Sequence, residues 1–226
     1  MGIVQQTNPS QMVNLLDEVQ RLKQANIISA AILAQKTAEM VKLQRENEEL
    51  RKLVHTDRLT GLRTREFFEL EFERHRPKDR VLPSERISSQ NTGLGLAFVD
   101  VDKFKSINDN YGHLHGDKVL VAIATLLTEK VRSTDLVVRW GGDEFLILFP
   151  RTSIDGLNMV SEQIRTAVEA LKFGFMDRSV AVSIGLTHTQ VDHPDLAKAM
   201  IKYADDAMYE AKRTGSNRVV FGQKIP

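Results

Sequence analysis

The N-terminal part of the chain carries a hydrophobic pattern that repeats every seven residues. Two columns of this repeat form a seam in which nine of thirteen residues are apolar, which is typical of a helix that pairs with a second helix. The columns are Met12, Val19, Asn26, Leu33, Met40, Asn47 and Val54, and Leu15, Leu22, Ser29, Lys36, Leu43 and Leu50. The pattern predicts a coiled-coil homodimer over residues 1–54. The alternative is one long amphipathic helix that packs on its own domain.

Polar residues interrupt the middle of this seam. Asn26 and Asn47 are residues of the kind that fix a parallel two-stranded register at some cost in stability. Ser29 and Lys36 weaken the central packing and would allow the register to shift. We therefore expect residues 1–54 to dimerise the protein and to offer a place where a regulatory protein partner acts.

From residue 55 onward the pattern alternates between strands and helices. Strands are predicted at 94–101, 135–140, 145–149, 178–187 and 218–221, and helices at 65–74, 117–132, 154–171 and 195–213. Residues 76–93 predict a mobile loop and residues 112–116 a turn. This order predicts an α/β (α+β) domain at 55–226, with a ferredoxin-like, five-stranded sheet flanked by helices.

Composition and charge exclude several classes of function but do not identify one. The chain has 226 residues and a net charge of +1, so no global charge favours binding to nucleic acid or to a membrane surface. It has no cysteine, which excludes disulfides and thiolate metal sites. No apolar stretch is long enough for membrane insertion, and the N-terminus lacks a signal-peptide pattern. We expect a cytoplasmic protein.

Two acidic segments carry the candidate chemistry. The sequence Gly141-Gly142-Asp143-Glu144-Phe145 places two acids at a hairpin turn that glycine makes tight and open to a ligand. Asp100 and Asp102 end a strand and lie on one side of it. Converging carboxylates repel one another, and a hard cation with substrate phosphates relieves that repulsion. The pattern favours a metal-dependent nucleotide enzyme, against the plain alternative of solvated acids at strand ends.

The run from Asp100 to Asp117, together with Gly141 to Phe145, resembles the signature of GGDEF-domain diguanylate cyclases. The resemblance covers residues 55–222. It implies a palm-like domain that condenses two GTP molecules into cyclic di-GMP and two pyrophosphates. Because each such domain binds one GTP, the resemblance also implies that two copies meet face to face.

The resemblance assigns roles to the acidic residues and to the residues that read the base. Asp100, the carbonyl of Val101 and Asp143 would hold Mg²⁺ (or Mn²⁺), and Asp143 and Glu144 would form the catalytic pair, with the identity of the base left open. Asn108 and Asp117 match positions that read guanine, whose donors suit an ionised carboxylate. His113 is a further expected substrate contact. Without the resemblance, Asn108 would be a turn residue.

Phosphate contacts are implied at Phe104, Lys105, Gly142 and Lys212. Many family members carry Arg where this chain has Ser216, and Arg213 or Arg218 are the alternatives in the sequence. The segment from Asp57 to Leu62 resembles the motif that opens the family's domain, with Thr64 in place of the usual Asn or Asp.

Arg132 and Asp135 match a motif that clasps a guanine of cyclic di-GMP and inhibits the enzyme. Arg donates bidentately to guanine, and Asp accepts from its N1 and N2. An Arg-x-x-Asp pattern is also common as a plain surface ion pair. Two other functions stay open. Product analysis after incubation with GTP and magnesium would separate the cyclase from a non-catalytic module that binds GTP or cyclic di-GMP. A pull-down that depends on residues 1–54 but not on Asp143 would support a scaffold that recruits a protein through its coiled coil.

Overall fold

A computed structural model of the protein describes residues 9–76, 92–191 and 194–222. It divides into two units, Met1–Lys52 and Leu53–Pro226. The helices are α1 (Pro9–His55), α2 (Arg65–His75), α3 (Phe104–Tyr111), α4 (His113–Lys130), α5 (Ile154–Ala170) and α6 (Leu196–Arg213). The strands are β1 (Arg63–Thr64), β2 (Gly93–Val101), β3 (Leu136–Gly141), β4 (Glu144–Thr152), β5 (Val182–Thr189) and β6 (Val219–Phe221). Most of the predicted loop at 76–93 lies outside the described residues.

The strands form one mixed sheet in the order β1-β3-β4-β2-β5-β6. Strand β2 lies between β4 and β5 and is antiparallel to both, while β1 and β6 add parallel pairs at the edges. The predicted α/β class with flanking helices is confirmed. The sheet has six strands in the described residues rather than five, because Arg63 and Thr64 pair with Val138 and Arg139. Two residues are too few to show the alternation that marks a strand.

Two other predictions were wrong in detail. The predicted turn at 112–116 is limited to Gly112, which has a φ of 82° and separates α3 from α4. Helix α3 was missed because it is short and buries a single apolar side chain, Ile107. The strand predicted at 178–187 begins later, at Val182, and runs on to Thr189.

The central strands bury both faces. Ala97, Val99 and Val101 of β2 pack in one cluster with α4 and α5, whereas the alternate residues Leu96 and Phe98 pack in a second cluster with α2 and α6. Because helices cover both faces, the strands are continuously apolar and do not alternate in sequence. Asp100 has the parity of the second face, which is the face that α6 covers.

Helix α6 lies unusually close to β5 at Gly185. A Cβ built on Gly185 would lie 2.0 Å from the backbone oxygen of Ala204 and 2.2 Å from the backbone nitrogen of Met208. Only glycine permits this approach. The contact seats α6 directly on the sheet and thereby fixes the position of Lys212 in its last turn.

Trp140 packs against the second cluster, immediately before the turn at Gly141 and Gly142. Its ring meets Phe68 and Phe98 edge to face, at centroid distances of 5.6 and 6.0 Å. The guanidinium of Arg65 lies 4.5 Å from the centroid of the same ring. Such aromatic and cation–π contacts tie the end of β3 to α2.

The long helix α1 exposes its apolar residues. Met12, Leu15, Val19 and Leu22 of the predicted seam are all more than 40% exposed. Apolar residues outside the seam are exposed as well, namely Val13, Leu16, Ile27, Ile28, Ile32 and Val41. Within the described residues, no helix combines the length and the apolar character needed to cross a membrane.

Candidate active site

The register of β2 and β4 brings the two acidic segments together. Asp100 and Glu144 are direct Cα partners in the antiparallel pair. The backbone N–H of Val101 donates to the carbonyl oxygen of Asp143 at 3.2 Å, which fixes the turn beside the end of β2. Asp100 is buried, with 5% of its surface exposed. Sequence-distant acids therefore meet at one edge of the sheet, as the sequence predicted.

Electrostatics at this edge favour a cation. Burial raises the pKa of Asp100 to about 6, and the charges of Asp143 and Glu144 add to that rise. Lys212 opposes it, because its Nζ lies 2.6 Å from Oδ2 of Asp100. Burial also raises the pKa of Glu144, and Asp143 and Asp205 raise it further. Asp205, on α6, is a contributor that the sequence analysis missed.

Arg139 anchors the hairpin turn through hydrogen bonds. Its Nε and Nη2 donate to the carbonyl oxygen of Gly142 at 3.1 and 2.8 Å, and its Nη1 donates to both carboxylate oxygens of Asp57 at 2.9 and 3.1 Å. Gly142 has a φ of 48°, a conformation that favours glycine. No motif in the sequence indicated this role for Arg139.

Asp57 is itself anchored in the turn that opens the domain. Its Oδ1 accepts from the backbone N–H and the hydroxyl of Thr60 at 2.8 and 2.6 Å. Burial alone would raise the pKa of Asp57, but the hydrogen bonds from Thr60 and Arg139 outweigh it and hold that pKa below its ordinary value. One arginine thus joins the domain-opening turn to the acidic turn.

The donor set fits a magnesium ion that is shared with substrate. Asp100 and Asp143 offer carboxylate oxygens, and Val101 offers a carbonyl oxygen beside them. In the described part of the chain, no three His, Asp or Glu side chains converge into a complete metal site. Magnesium characteristically takes one or two carboxylates and completes its shell with water and phosphate oxygens, so this partial set suits it.

The predicted base-reading residues lie together at the α3–α4 junction. Oδ1 of Asn108 is buried and has no hydrogen-bond partner in the structure. Gly116 leaves room for it, since a Cβ there would lie 1.9 Å from that oxygen. Asp117 follows Gly116 directly and is half-buried. A buried acceptor without a donor requires a partner, and a base that presents N–H groups would supply it.

The other predicted contacts lie around the start of α3 and α4. Phe104 packs against the first core cluster. Lys105 and His113 are exposed near the start of α3 and at the start of α4 respectively. Among the described residues, no hydrogen bond or ion pair joins either side chain to the acids.

Arg132 and Asp135 form a separate feature. The backbone N–H of Arg132 donates to Oδ2 of Asp135 at 2.9 Å, and the N–H of Asp135 donates to the carbonyl of Arg132 at 2.9 Å. Burial raises the pKa of Asp135. The pair precedes β3, whose far end is Gly141, so a strand of roughly 20 Å separates it from the acidic turn. The guanidinium of Arg132 is exposed.

Residues 54–218 match the family described as "Diguanylate cyclase, GGDEF domain". The chain belongs to this family. The match begins one residue before the resemblance seen in the sequence, and it spans both acidic segments and Lys212.

Curated and structural relatives agree with this family. Diguanylate cyclase DgcM of Escherichia coli is 37% identical over 177 residues, which are 78% of this chain and 40% of that protein. Diguanylate cyclase DgcP of Pseudomonas aeruginosa is 35% identical and is covered over only 24% of its length. The chain thus spans less than half of these curated relatives.

Two solved structures extend the likeness to the N-terminal helix. The coiled coil and GGDEF domain of DgcB from Caulobacter crescentus, in complex with c-di-GMP, is 31% identical, with a TM-score of 0.68, over 85% of this chain and 98% of that one. Diguanylate cyclase SiaD from Pseudomonas aeruginosa, in complex with its activator SiaC, is 32% identical, with a TM-score of 0.64, over 94% of this chain and 78% of that one.

Proposed function

We propose that this GGDEF protein is an active diguanylate cyclase that condenses two GTP molecules into cyclic di-GMP and two pyrophosphates. The observation that carries the proposal is the pairing of buried Asp100 with Glu144, next to Asp143. The ammonium of Lys212 contacts the carboxylate of Asp100. Acids at such density have no evident use in stabilising the fold, because Asp143 and Glu144 raise the pKa of Asp100 and Asp143 raises that of Glu144. They are suited to binding a metal–triphosphate complex.

Each residue then has a chemical task. Asp100, Asp143 and the carbonyl of Val101 would hold Mg²⁺ or Mn²⁺. When bound, the metal shields phosphate charge and lowers the pKa of the attacking hydroxyl. One carboxylate of the pair Asp143 and Glu144 would accept the proton of the ribose 3′-hydroxyl, with the choice between the two left open. That oxygen attacks the α-phosphorus of the GTP in the other subunit, and pyrophosphate leaves.

Substrate selection is assigned to α3 and α4. Asn108 and Asp117 accept hydrogen bonds from N1 and the exocyclic amine of guanine, which adenine cannot match. Phe104 and Lys105 at the start of α3, Gly142 at the turn and Lys212 on α6 contact the phosphates. His113, at the start of α4, is an additional substrate contact.

The N-terminal helix is proposed to dimerise the chain, so that the active site of a second copy meets that of the first. Exposed apolar residues along the predicted seam support a homodimer, because pairing with a second helix would remove this apolar surface from water. Exposed apolar residues outside the seam support binding of a regulatory protein at 1–54, as the SiaD complex with an activator also suggests.

Product inhibition is assigned to Arg132 and Asp135. The exposed guanidinium and the carboxylate are held in one short turn, well away from the acids. A guanine of cyclic di-GMP would meet donors and acceptors there.

Incubation of the purified chain with GTP and Mg²⁺, followed by chromatographic analysis of the products, tests the function. Wild type is expected to form cyclic di-GMP, and Glu144→Ala is expected to lose at least about a hundredfold in rate. A verified wild-type dimer that makes no cyclic dinucleotide would show a binding module instead. Retained activity in Glu144→Ala would contradict the role of the acid pair.

A further inference from the structure

A cavity of about 270 Å³ lies beside the acidic edge of the sheet. Asp102 and Lys103 line it from the end of β2, Arg178 lines it from the segment before β5, and Ser216 and Asn217 line it from the turn after α6. Two of these segments, those with Asp102 and Ser216, follow Asp100 and Lys212 closely in the chain. The cavity is therefore placed to receive a group that extends from the metal-binding acids.

The charges in the lining favour an anion. Lys103 and Arg178 contribute two cations, and in the described part of the chain neither forms an ion pair with a carboxylate. The one acid, Asp102, has both oxygens engaged, since it accepts from the hydroxyl of Ser183 at 2.7 Å and from the backbone N–H of Asn217 at 2.9 Å. An incoming anion would thus meet cationic groups that remain available.

Arg178 reaches across the cavity toward α3. Its Nη2 donates to the hydroxyl of Ser106, in the first turn of α3, over 3.4 Å. That distance is at the long limit for a hydrogen bond, so a charged acceptor would compete for the guanidinium. Guanidinium groups bind phosphate oxygens bidentately, which a lysine cannot do.

The other arginines near this turn are already engaged. Arg213 donates to both carboxylate oxygens of Glu210 at 2.9 Å. Arg218 donates from Nε to the carbonyl of Ser216 at 3.3 Å, and its guanidinium covers Gly215. Ser216 itself carries no charge. Of the arginines around the turn, Arg178 is the one that lines the cavity.

We propose that Arg178 binds the terminal phosphates of GTP and supplies the guanidinium that position 216 lacks. This inference rests on the proposed function, because the ligand is the substrate of that reaction. It assigns to the segment before β5 a substrate contact that no motif in the sequence indicated.

The experiment compares wild type, Arg178→Ala and Arg151→Ala, each as the chain of 226 residues. Arg151 is the control because it is exposed at the end of β4 opposite to Glu144. The readouts are binding of the β,γ-imido analogue of GTP with Mg²⁺, the KM and kcat for GTP, and the inhibition constant of GMP, which lacks the terminal phosphates.

Arg178→Ala is expected to bind the analogue at least about tenfold more weakly and to raise KM similarly, because it loses a charged hydrogen bond. Its inhibition constant for GMP is expected to match wild type, and Arg151→Ala is expected to match wild type throughout. Adding Ser216→Arg to Arg178→Ala is expected to restore most of the affinity for the analogue.

Equal analogue binding by wild type and Arg178→Ala would overturn the inference and leave the proposed function intact. Equal weakening toward GMP and the analogue would also overturn it, since it would reveal a general structural effect. Failure of wild type to bind either nucleotide would overturn the proposed function and this inference with it.

Discussion

Asn108 illustrates at the scale of a single residue how a fold reserves a group for a ligand. Its side-chain oxygen is buried beside Gly116 and has no hydrogen-bond partner in the structure. Burying a polar group without a partner costs about 1 to 3 kcal/mol. A folded protein carries that cost where function requires the group.

Asn108→Ala is therefore expected to separate stability from function. The variant loses no internal hydrogen bond of the side chain, so its free energy of unfolding should equal or exceed that of wild type. Its KM for GTP should rise about tenfold, because an acceptor for guanine is lost. Urea unfolding and steady-state kinetics measure the two quantities. A clear loss of stability with unchanged KM would instead identify a structural turn residue.

Asp57 provides a pH-dependent prediction. Its pKa is lowered in the folded state, so the ionised carboxylate stabilises the protein above the unfolded pKa near 3.8, and this contribution is lost as pH falls through the folded value. At pH 7, Asp57→Asn should lower the free energy of unfolding by about 1.5 to 3 kcal/mol, since charged hydrogen bonds to Arg139 are weakened.

Urea unfolding of wild type and Asp57→Asn from pH 7 down to pH 3 checks this expectation. The difference between the two proteins should shrink toward the acid end. Asp155→Asn, at an exposed acid in the first turn of α5, is the matched control. A difference that is constant over the whole range would contradict the assignment.

Local motifs predicted the acids at this scale but not the residue that supports them. Asp100, Asp143 and Glu144 stand in recognisable runs, and the strand register then brings them together. The pairing of Arg139 with Asp57 spans 82 residues, so no local sequence pattern predicts it. Arg178 was missed for the same reason, because only the fold brings it to the cavity beside Ser216.

At the scale of elements, the seating of α6 on β5 decides where Lys212 lies. Gly185 permits backbone atoms of α6 to approach the sheet. Beyond the close contact at Ala204 and Met208, four more residues of helix carry the chain to Lys212 beside Asp100. A shift of the helix would therefore change the contact between Lys212 and Asp100.

Gly185→Ala is expected to destabilise the protein by about 2 to 4 kcal/mol, because its Cβ would overlap α6 and force the helix away. Gly174→Ala is the control, since a Cβ there would meet no atom within 4 Å. Urea unfolding measures both variants, and KM for GTP reports the displaced Lys212. A stability change in Gly185→Ala no larger than in the control would refute the close-packing argument.

Elements were predictable where their pattern was long. The five longer strands and most helices follow from apolar runs and breaks in the sequence. The two-residue β1 and the helix α3 were not predicted, because neither extends far enough to establish a period. The N-terminus of α3 is nevertheless where Phe104 and Lys105 lie, so the least predictable element is part of the site.

For the whole molecule, the proposed reaction joins two GTP molecules, whereas one domain supplies one set of acids. Both core clusters are built from residues of the second unit. Under that proposal, the exposed seam of α1 would determine how often two domains meet.

Removal of residues 1–54 is expected to give a folded monomer whose specific activity falls at low protein concentration and recovers as concentration rises. The physical reason is that a tether raises the effective concentration of the second domain. Activity measured against protein concentration, with sedimentation to verify the oligomeric state, tests this. Full activity in a dilute monomer would refute it.

Seam variants that keep residues 1–54 refine the same test. Leu22→Asp combined with Leu43→Asp should weaken the dimer, because it places charge on the apolar columns of the heptad. Gln20→Asp, which adds a charge to an exposed position outside the seam, should leave the dimer intact. Equal dissociation of the two proteins would contradict the predicted seam.

Trp140 has a practical consequence for following this protein in solution. It is the only tryptophan of the chain, it stands immediately before Gly141, and its ring is held between Phe68, Phe98 and the guanidinium of Arg65. Its emission spectrum therefore comes from one place in the molecule. A spectroscopist can use this natural fluorophore to test whether and how fast a nucleotide reaches the neighbouring turn, without attaching a dye.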